Sequence, residues 1–293
     1  MKPHRSIRTI ATTFAAALAL AITPAAQAQS TQPLNGIAHV ALRVHDLDAT
    51  RAFYEKLGFV SAFNLKHADG VVYESFIKIS DTQFLELYPA TAKDSQLGFL
   101  HLCFEGADLE AINKSYLAEG LTPNAVRKAG AGNLLFTLAG PIQPTGPQNI
   151  EYTQYMPGSL HSNDKGKDLG PNRVATQLYS VTLAMQDIGL ARDFYANKLG
   201  FASPDPAKIM ILALPGTSGQ QVEIVPAATL GYKASFTLSA NNLGKSVKLL
   251  KKEHIAFKKS PAGYIVNDPD GNIILIRQSD KLDLLDPLTK YLP

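Results

Sequence analysis

The sequence predicts an α+β protein of four βαβββ modules, paired into two domains with curved mixed sheets. Three observations carry this. The segment IAHVALRVHDLDATRAFYEKLGF (37–59) recurs as LYSVTLAMQDIGLARDFYANKLGF (178–201). The recurrence continues downstream, where FLELYP (84–89) matches QVEIVP (221–226) and PQNIEYTQY (147–155) matches DGNIILIRQ (270–278). Each half also restarts a strand-then-helix pattern midway, at 98–121 and again at 234–255. Repetition on this scale marks one structural unit used several times.

Each module is legible in order. Apolar and other residues alternate through 37–44 and 178–185, which is the period of a strand. Asp46 and Asp187 follow at the N-cap position of a helical pattern. Gly58 and Gly200 close that pattern where the chain must enter the left-handed region, which glycine alone does cheaply. Between the halves, PGSLHSNDKGKDLGPNR (157–173) is polar and rich in Gly, Pro, Asn and Asp, and reads as a linker or functional loop. The expected domains are therefore 29–156 and 174–293.

The first 28 residues read as a secretory signal peptide. A basic MKPHRSIR precedes an apolar run from Ile10 to Ile22, and Ala26-Gln27-Ala28 supplies small residues for cleavage. The run is too short for a ~30 Å hydrocarbon core. The expectation is export to the periplasm or beyond, with no membrane attachment after cleavage. Lys and Arg total 28 against 25 Asp and Glu, but Lys2, Arg5 and Arg8 account for the excess. A balanced mature chain leaves no footprint for nucleic acid. Cys103 is the sole cysteine, so no intrachain disulfide can form. No phosphate loop, CxxC, HExxH or GxSxG motif occurs.

Strand parity singles out four residues. Ala38, Val40, Leu42 and Val44 form an apolar stripe, so His39 points the other way with Ile37, Ala41 and Arg43. Leu100, Leu102 and Phe104 set His101 opposite in the same manner. Leu85 and Leu87 flank Glu86, while Ile150 and Tyr152 flank Glu151. The intervals repeat as well: 47 residues from His39 to Glu86, and 50 from His101 to Glu151. Singly, each has a bland explanation, a hydrogen-bonded core histidine or a solvent-facing glutamate. Jointly, two imidazoles and two carboxylates suit one divalent transition metal such as Zn, Mn, Fe, Co or Ni.

The pattern resembles the vicinal oxygen chelate superfamily, which includes glyoxalase I, extradiol dioxygenases and bleomycin-resistance proteins. The resemblance rests on HVALRVHDLDATRAFYEKLGF, FLELYP, DPDGNIILI and the fourfold repeat, and covers residues 35–280. It implies two glyoxalase-like domains, the first binding metal through His39, Glu86, His101 and Glu151. The second half departs from the ligand pattern at Ser180, Ser235 and Ile274, keeping only Glu223. The implied activity is metal-assisted proton transfer on a small oxygenated substrate, in the manner of a lyase, isomerase or epimerase. Glu151 is then the base, with Glu86 sharing the work. Export argues against a glutathione-linked substrate and toward a sugar-like or aromatic α-hydroxycarbonyl.

Two alternatives stay open. An extradiol-type Fe(II) dioxygenase would use two His and one carboxylate, but Glu86 adds a fourth ligand and no histidine lies between His101 and Glu151. A non-catalytic, bleomycin-resistance-like protein would hold a small ligand without the metal set. Candidate substrate contacts are Arg43, Tyr88, Tyr155 and His161. Arg43 shares the His39 face, Tyr88 and Tyr155 share those of Glu86 and Glu151, and His161 sits in the linker, where a histidine is more often simply exposed. Cys103 reads first as a small buried hydrophobe and second as a thiolate ligand. The module pairing is intramolecular, compatible with a monomer or a homodimer.

Overall fold

The computed structural model describes residues 32–205, 208, 210–261 and 263–284. The expected signal peptide lies outside these. The first module runs β1 (Leu34–Val44), α1 (Leu47–Lys56), β2 (Val60–Lys66), β3 (Val72–Lys78) and β4 (Phe84–Pro89). The second runs β5 (Gly98–Gly106), α2 (Leu109–Ala118), β6 (Arg127–Lys128), β7 (Leu134–Gln143) and β8 (Gly146–Gln154). Together they form one eight-stranded sheet in the order β2-β3-β4-β1-β5-β8-β7-β6. The modules join edge to edge through antiparallel β1 and β5, and each central strand pairs in parallel with the last strand of its own module.

A short helix, α3 (Leu160–Asn163), stands in the segment read as a linker. The second half repeats the plan with β9 (Gln177–Met185), α4 (Ile188–Asp193), β10 (Ile211–Ala213) and β11 (Gln221–Pro226). After a short α5 (Ala227–Leu230) come β12 (Ser235–Ala240), α6 (Leu243–Lys252), β13 (Lys258–Ser260), β14 (Gly263–Asn267) and β15 (Ile273–Gln278). The seven strands order as β10-β11-β9-β12-β15-β14-β13. This third module departs from βαβββ: an isolated Ala202–Ala213 bridge replaces the strand that follows its helix. Its helix also ends in a π turn, Phe194–Lys198.

Local signals account for the helix ends. Asp46 accepts from the Ala49 amide at 3.0 Å, and Asp187 from the Leu190 amide at 2.9 Å. Both satisfy a first-turn N–H that has no partner within the helix. Gly58 takes φ +86°, and a Cβ there would stand 2.1 Å from the Asn172 carbonyl oxygen. Glycine is required twice over, by conformation and by the close approach of the segment between the halves.

The apolar faces of both sheets contribute to a single core that includes Val40, Leu85, Phe104, Val181, Phe201 and Phe236. Symmetric contacts lock the halves together. Tyr54 of α1 donates to Asp268 at 3.2 Å, while Tyr195 of the π turn donates to Gln148 at 2.9 Å. Two buried glutamines at equivalent repeat positions tie β1 to β9. Gln83 donates to the Ile37 and Leu178 carbonyls at 3.1 and 2.8 Å and accepts from the Leu178 amide at 2.9 Å. Gln220 accepts from the Ile37 amide at 2.6 Å and donates to the Leu178 carbonyl at 2.9 Å. Among the described residues, no helix is long and apolar enough to cross a membrane.

Replacing Gln83 with Leu strands the Ile37 carbonyl and the Leu178 amide in the core. Each buried orphan costs about 1–3 kcal/mol, so urea denaturation is expected to show a loss of roughly 2–4 kcal/mol. A loss below about 0.5 kcal/mol would mean that the glutamine bridge does not hold the halves together.

Candidate metal centre

The four central strands of the first sheet, β4-β1-β5-β8, each place one ligand-type side chain on the same face: Glu86, His39, His101 and Glu151. Register explains why they meet. Ala41 lies across from both Glu86 and His101, and Cys103 lies across from both His39 and Glu151. The two histidines occupy one diagonal of the β1–β5 ladder, and two small side chains occupy the other. Ala41 and Cys103 leave room for the imidazoles to turn toward each other.

The resulting cluster is tight. The two Nε2 atoms stand 3.1 Å apart, with the rings edge to face at 5.2 Å. His39 Nδ1 lies 3.0 Å from Glu86 Oε1, and His39 Nε2 lies 3.6 Å from Glu151 Oε1. His101 Nε2 lies 3.6 Å from Glu86 Oε2 and 4.0 Å from Glu151 Oε2. The approach of His39 Nδ1 to Glu86 is close yet lacks hydrogen-bond geometry. Ligand atoms of His39, Glu86 and His101 all lie within 4.8 Å of one another, as do those of His39, Cys103 and Glu151.

These atoms fit a metal better than they fit each other. Bonds of ~2.0–2.2 Å to nitrogen and oxygen separate neighbouring ligand atoms by roughly 3.0–3.5 Å. Through the two Nε2 atoms the spacings here run from 3.1 to 4.0 Å, slightly wider, while His39 Nδ1 faces Glu86 on its other side. Without a cation the group is electrostatically poor. Burial, then Glu151, holds the Glu86 carboxyl well above its ordinary range, and burial raises Glu151. Burial lowers both histidines, and His101 and His161 lower His39 further. The protein alone therefore favours protonated carboxyls and neutral imidazoles, and a bound cation would displace those protons.

A cavity of about 190 Å³ opens onto the cluster. Its walls come from Leu65 of β2, from Tyr73, Glu74 and Phe76 of β3, from Tyr88 of β4, from Arg127, Asn133 and Leu135 of the β6–β7 region, and from His161. Tyr88 donates to Glu86 Oε2 at 3.2 Å and lines the cavity. His161 also lines it and is buried rather than exposed. Tyr155 instead spends its hydroxyl on the Thr82 carbonyl at 3.1 Å and stacks on His161. Arg43 is turned to Asp94, 4.0 Å away, and is not among the cavity-lining residues.

Glu74 was not singled out by sequence reasoning. It is 8% exposed, lines the cavity and is pushed up to about 8 by burial and then by Glu86. Its sequence neighbours Tyr73 and Ser75 do not form the apolar stripe that marked the other four. Strand parity measured from Phe76, two residues on, would have placed it on the inner face.

The second sheet offers no comparable group among the described residues. Ser180 and Ser235 stand where the histidines stand, and Glu223 accepts from Thr182 at 3.1 Å. The sequence match put Ile274 opposite Glu151, and the ladder corrects this by one residue. Cys103 pairs with Glu151, whereas its counterpart Thr237 pairs with Leu275. Ile274 belongs to the main core, and Leu275 packs with Ala184, Val225, Leu230 and Ile265. Pro144 and Thr145, from the β7–β8 turn, help line a space of only about 10 Å³ beside Thr182.

Residues 36–144 match the family model of the Glyoxalase/Bleomycin resistance protein/Dioxygenase superfamily. No curated protein matches the chain. Solved structures of similar fold include the 2,3-dioxygenase LapB from Pseudomonas sp. KL28, at 16% identity and TM-score 0.63, covering 85% of this chain and 93% of that one. The Mn(II)-bound glyoxalase from Novosphingobium aromaticivorans aligns at 16% identity and TM-score 0.64, with 84% and 83% covered. Homoprotocatechuate 2,3-dioxygenase from Brevibacterium fuscum, in complex with 3,4-dihydroxyphenylacetate, aligns at 15% and 0.60, with 85% and 82% covered.

A carboxyl whose folded pKa is raised favours the folded state while it keeps its proton. That stability is complete below the ordinary carboxylate range and is lost as pH rises through the folded value, about 8 for Glu74. The lowered histidines act in the opposite sense, only below ~6.5. Between pH 6.5 and 8 the metal-free protein is thus expected to lose stability as pH rises, by up to about 1.4 kcal/mol per pH unit from Glu74. Glu74→Gln should flatten the slope in denaturation curves, and an unchanged slope would remove Glu74 from the cluster's electrostatics.

Proposed function

For a chain that carries a domain of the glyoxalase/bleomycin resistance protein/dioxygenase superfamily, we propose a metal-dependent enzyme acting by proton transfer on a small oxygenated substrate. His39, Glu86, His101 and Glu151 would hold one divalent transition metal. The observation that supports this most is the convergence of two imidazole nitrogens, 3.1 Å apart, with two buried carboxylates from the four central strands. When bound, the metal supplies Lewis-acid polarisation of a substrate carbonyl chelated through two adjacent oxygens.

The protein's own groups then handle the proton. Glu151 takes it from the carbon beside the polarised carbonyl, and Glu86 serves the opposite side. Neutral imidazoles at His39 and His101 keep their lone pairs available as ligands. Tyr88 orients Glu86 through its hydrogen bond. The walls of Leu65, Phe76 and Leu135 limit water at the reacting atoms.

A ring-cleaving dioxygenase is the second reading. It is favoured by the dioxygenases among the similar folds and by the buried, cavity-lining His161 beyond Glu151. Glu86 counts against it, since oxygen chemistry needs that position open. We also read the N-terminal segment as an export signal, so the substrate would be one met outside the cytosol.

Metal content decides between these. Mature protein exported by its own signal is expected to carry about one equivalent of metal, and His101→Ala to lose it. Mn, Ni, Co or Zn would support proton transfer, whereas Fe together with oxygen uptake on catechols would favour the dioxygenase. No metal in either protein, even after adding divalent ions, would sink both and leave a small-ligand-binding protein.

A further inference from the structure

His161 is a buried imidazole outside the four-residue cluster. It is 3% exposed, and neither ring nitrogen has a hydrogen-bond partner. Buried polar atoms are nearly always partnered, so a side chain with two unpaired nitrogens calls for a reason. Its immediate surroundings cannot supply one. The Tyr155 ring stacks on it at 4.6 Å, and Phe63, Phe76 and Phe84 meet it edge to face at 5.0–5.2 Å. The Tyr155 hydroxyl is already spent on Thr82. What remains open to the imidazole is the cavity it shares with Glu74, Glu86 and Glu151.

The position is enforced from both ends of α3. On the N-terminal side, the Ser159 hydroxyl accepts from the Ser162 amide, and the Leu160 amide donates to the Ala131 carbonyl at 2.8 Å. On the C-terminal side, the fully buried Lys78 ammonium holds the Asp164 carboxylate at 2.6 Å and the Lys167 carbonyl at 2.6 Å. A four-residue helix does not persist by itself. Here a buried cation from the site's own sheet clamps it so that His161 reaches the cavity.

We infer that His161 is a substrate-contacting residue that hydrogen-bonds a hydroxyl or carbonyl oxygen of a small, uncharged substrate. The inference deepens the metal-enzyme reading and rests on it for the pair of oxygens that the metal would chelate. Burial pushes the imidazole down to about 3, so it offers one donor and one acceptor without charge. Such a group matches a hydroxyl or carbonyl better than a carboxylate or an ammonium. The one basic residue on the same walls, Arg127, is exposed to solvent, so the walls offer an anion no buried basic side chain. A volume of about 190 Å³ suits a molecule of one ring.

The test uses the full mature chain loaded with zinc and kojic acid as the probe. This ring is neutral when free and loses its ring-hydroxyl proton to solvent on chelating through adjacent carbonyl and hydroxyl oxygens. It carries a further, neutral hydroxymethyl arm for His161 to meet. His161→Phe is expected to keep one equivalent of zinc and to weaken kojic acid at least tenfold in calorimetry. His161→Gln, which keeps a donor and an acceptor, should stay within about threefold of the unaltered protein. In ¹⁵N-histidine-labelled protein, the His161 ring resonances, assigned by their loss in His161→Gln, should shift when kojic acid binds. Unmoved resonances with bound probe, or full affinity in His161→Phe with zinc intact, would overturn the inference even if one variant failed to fold. A zinc-loaded protein that ignores kojic acid would overturn the substrate class. Failure to take up zinc at all, read by the metal assay itself, would overturn the metal reading and this inference together.

Discussion

Two imidazoles 3.1 Å apart, each within 4.0 Å of both Glu86 and Glu151, are the constraint around which the rest is arranged. Such a group is expensive to desolvate in its charged form. The fold meets the cost in two ways. Neutral forms dominate while the cluster stands alone, and the donor atoms are spaced for a cation that would make the ionised carboxylates favourable. Cluster and metal affinity are one property seen from two sides. Glu74 intensifies it, because a third buried carboxyl beside Glu86 raises the local demand for positive charge.

The second sheet shows the same scaffold released from that demand. Its central strands carry Ser180, Ser235 and Leu275 where the first carries His39, His101 and Glu151. Its single carboxylate, Glu223, accepts from the Thr182 hydroxyl at 3.1 Å. Leu275 joins an apolar cluster, and the β7–β8 turn of the first half covers the neighbourhood of Thr182.

What the sequence revealed follows from how local each signal is. The internal repeat and the two-residue period of strands are properties of short segments, so the paired sheets and the four inner-facing residues were legible from 37–44, 84–89, 98–106 and 147–155. Glu74 was hidden because its strand lacks an apolar stripe to define which side is inner. His161 could be named as a candidate substrate contact, but its burial was not legible, because it depends on Phe63, Phe76, Phe84 and the Lys78 clamp, all distant in sequence. The Ile274 assignment slipped because aligning GNI with QNI conserves letters, while pairing between strands is set by the neighbouring strand. Arg43 shares a face with His39, yet a strand residue four positions on is far enough along to meet a different partner, Asp94.

The half without ligands still acts on the site through backbone geometry. Gln83 immediately precedes β4, three residues before Glu86, and its amide is bonded to Ile37 of β1 and to Leu178 of β9 at once. Gln220 returns the bond from the other side, grasping the same Ile37 and Leu178. Ile37 stands two residues before His39 on the same strand, across a β-bulge that turns Ile37 into the core and His39 into the cluster. The relative height of β1 and β4, which sets the 3.0 Å contact between His39 and Glu86, is thereby referenced to a strand of the second sheet. Metal-ligand atoms tolerate displacements of only a few tenths of an ångström. The second sheet contributes to that tolerance through these backbone contacts, whatever its own cup holds.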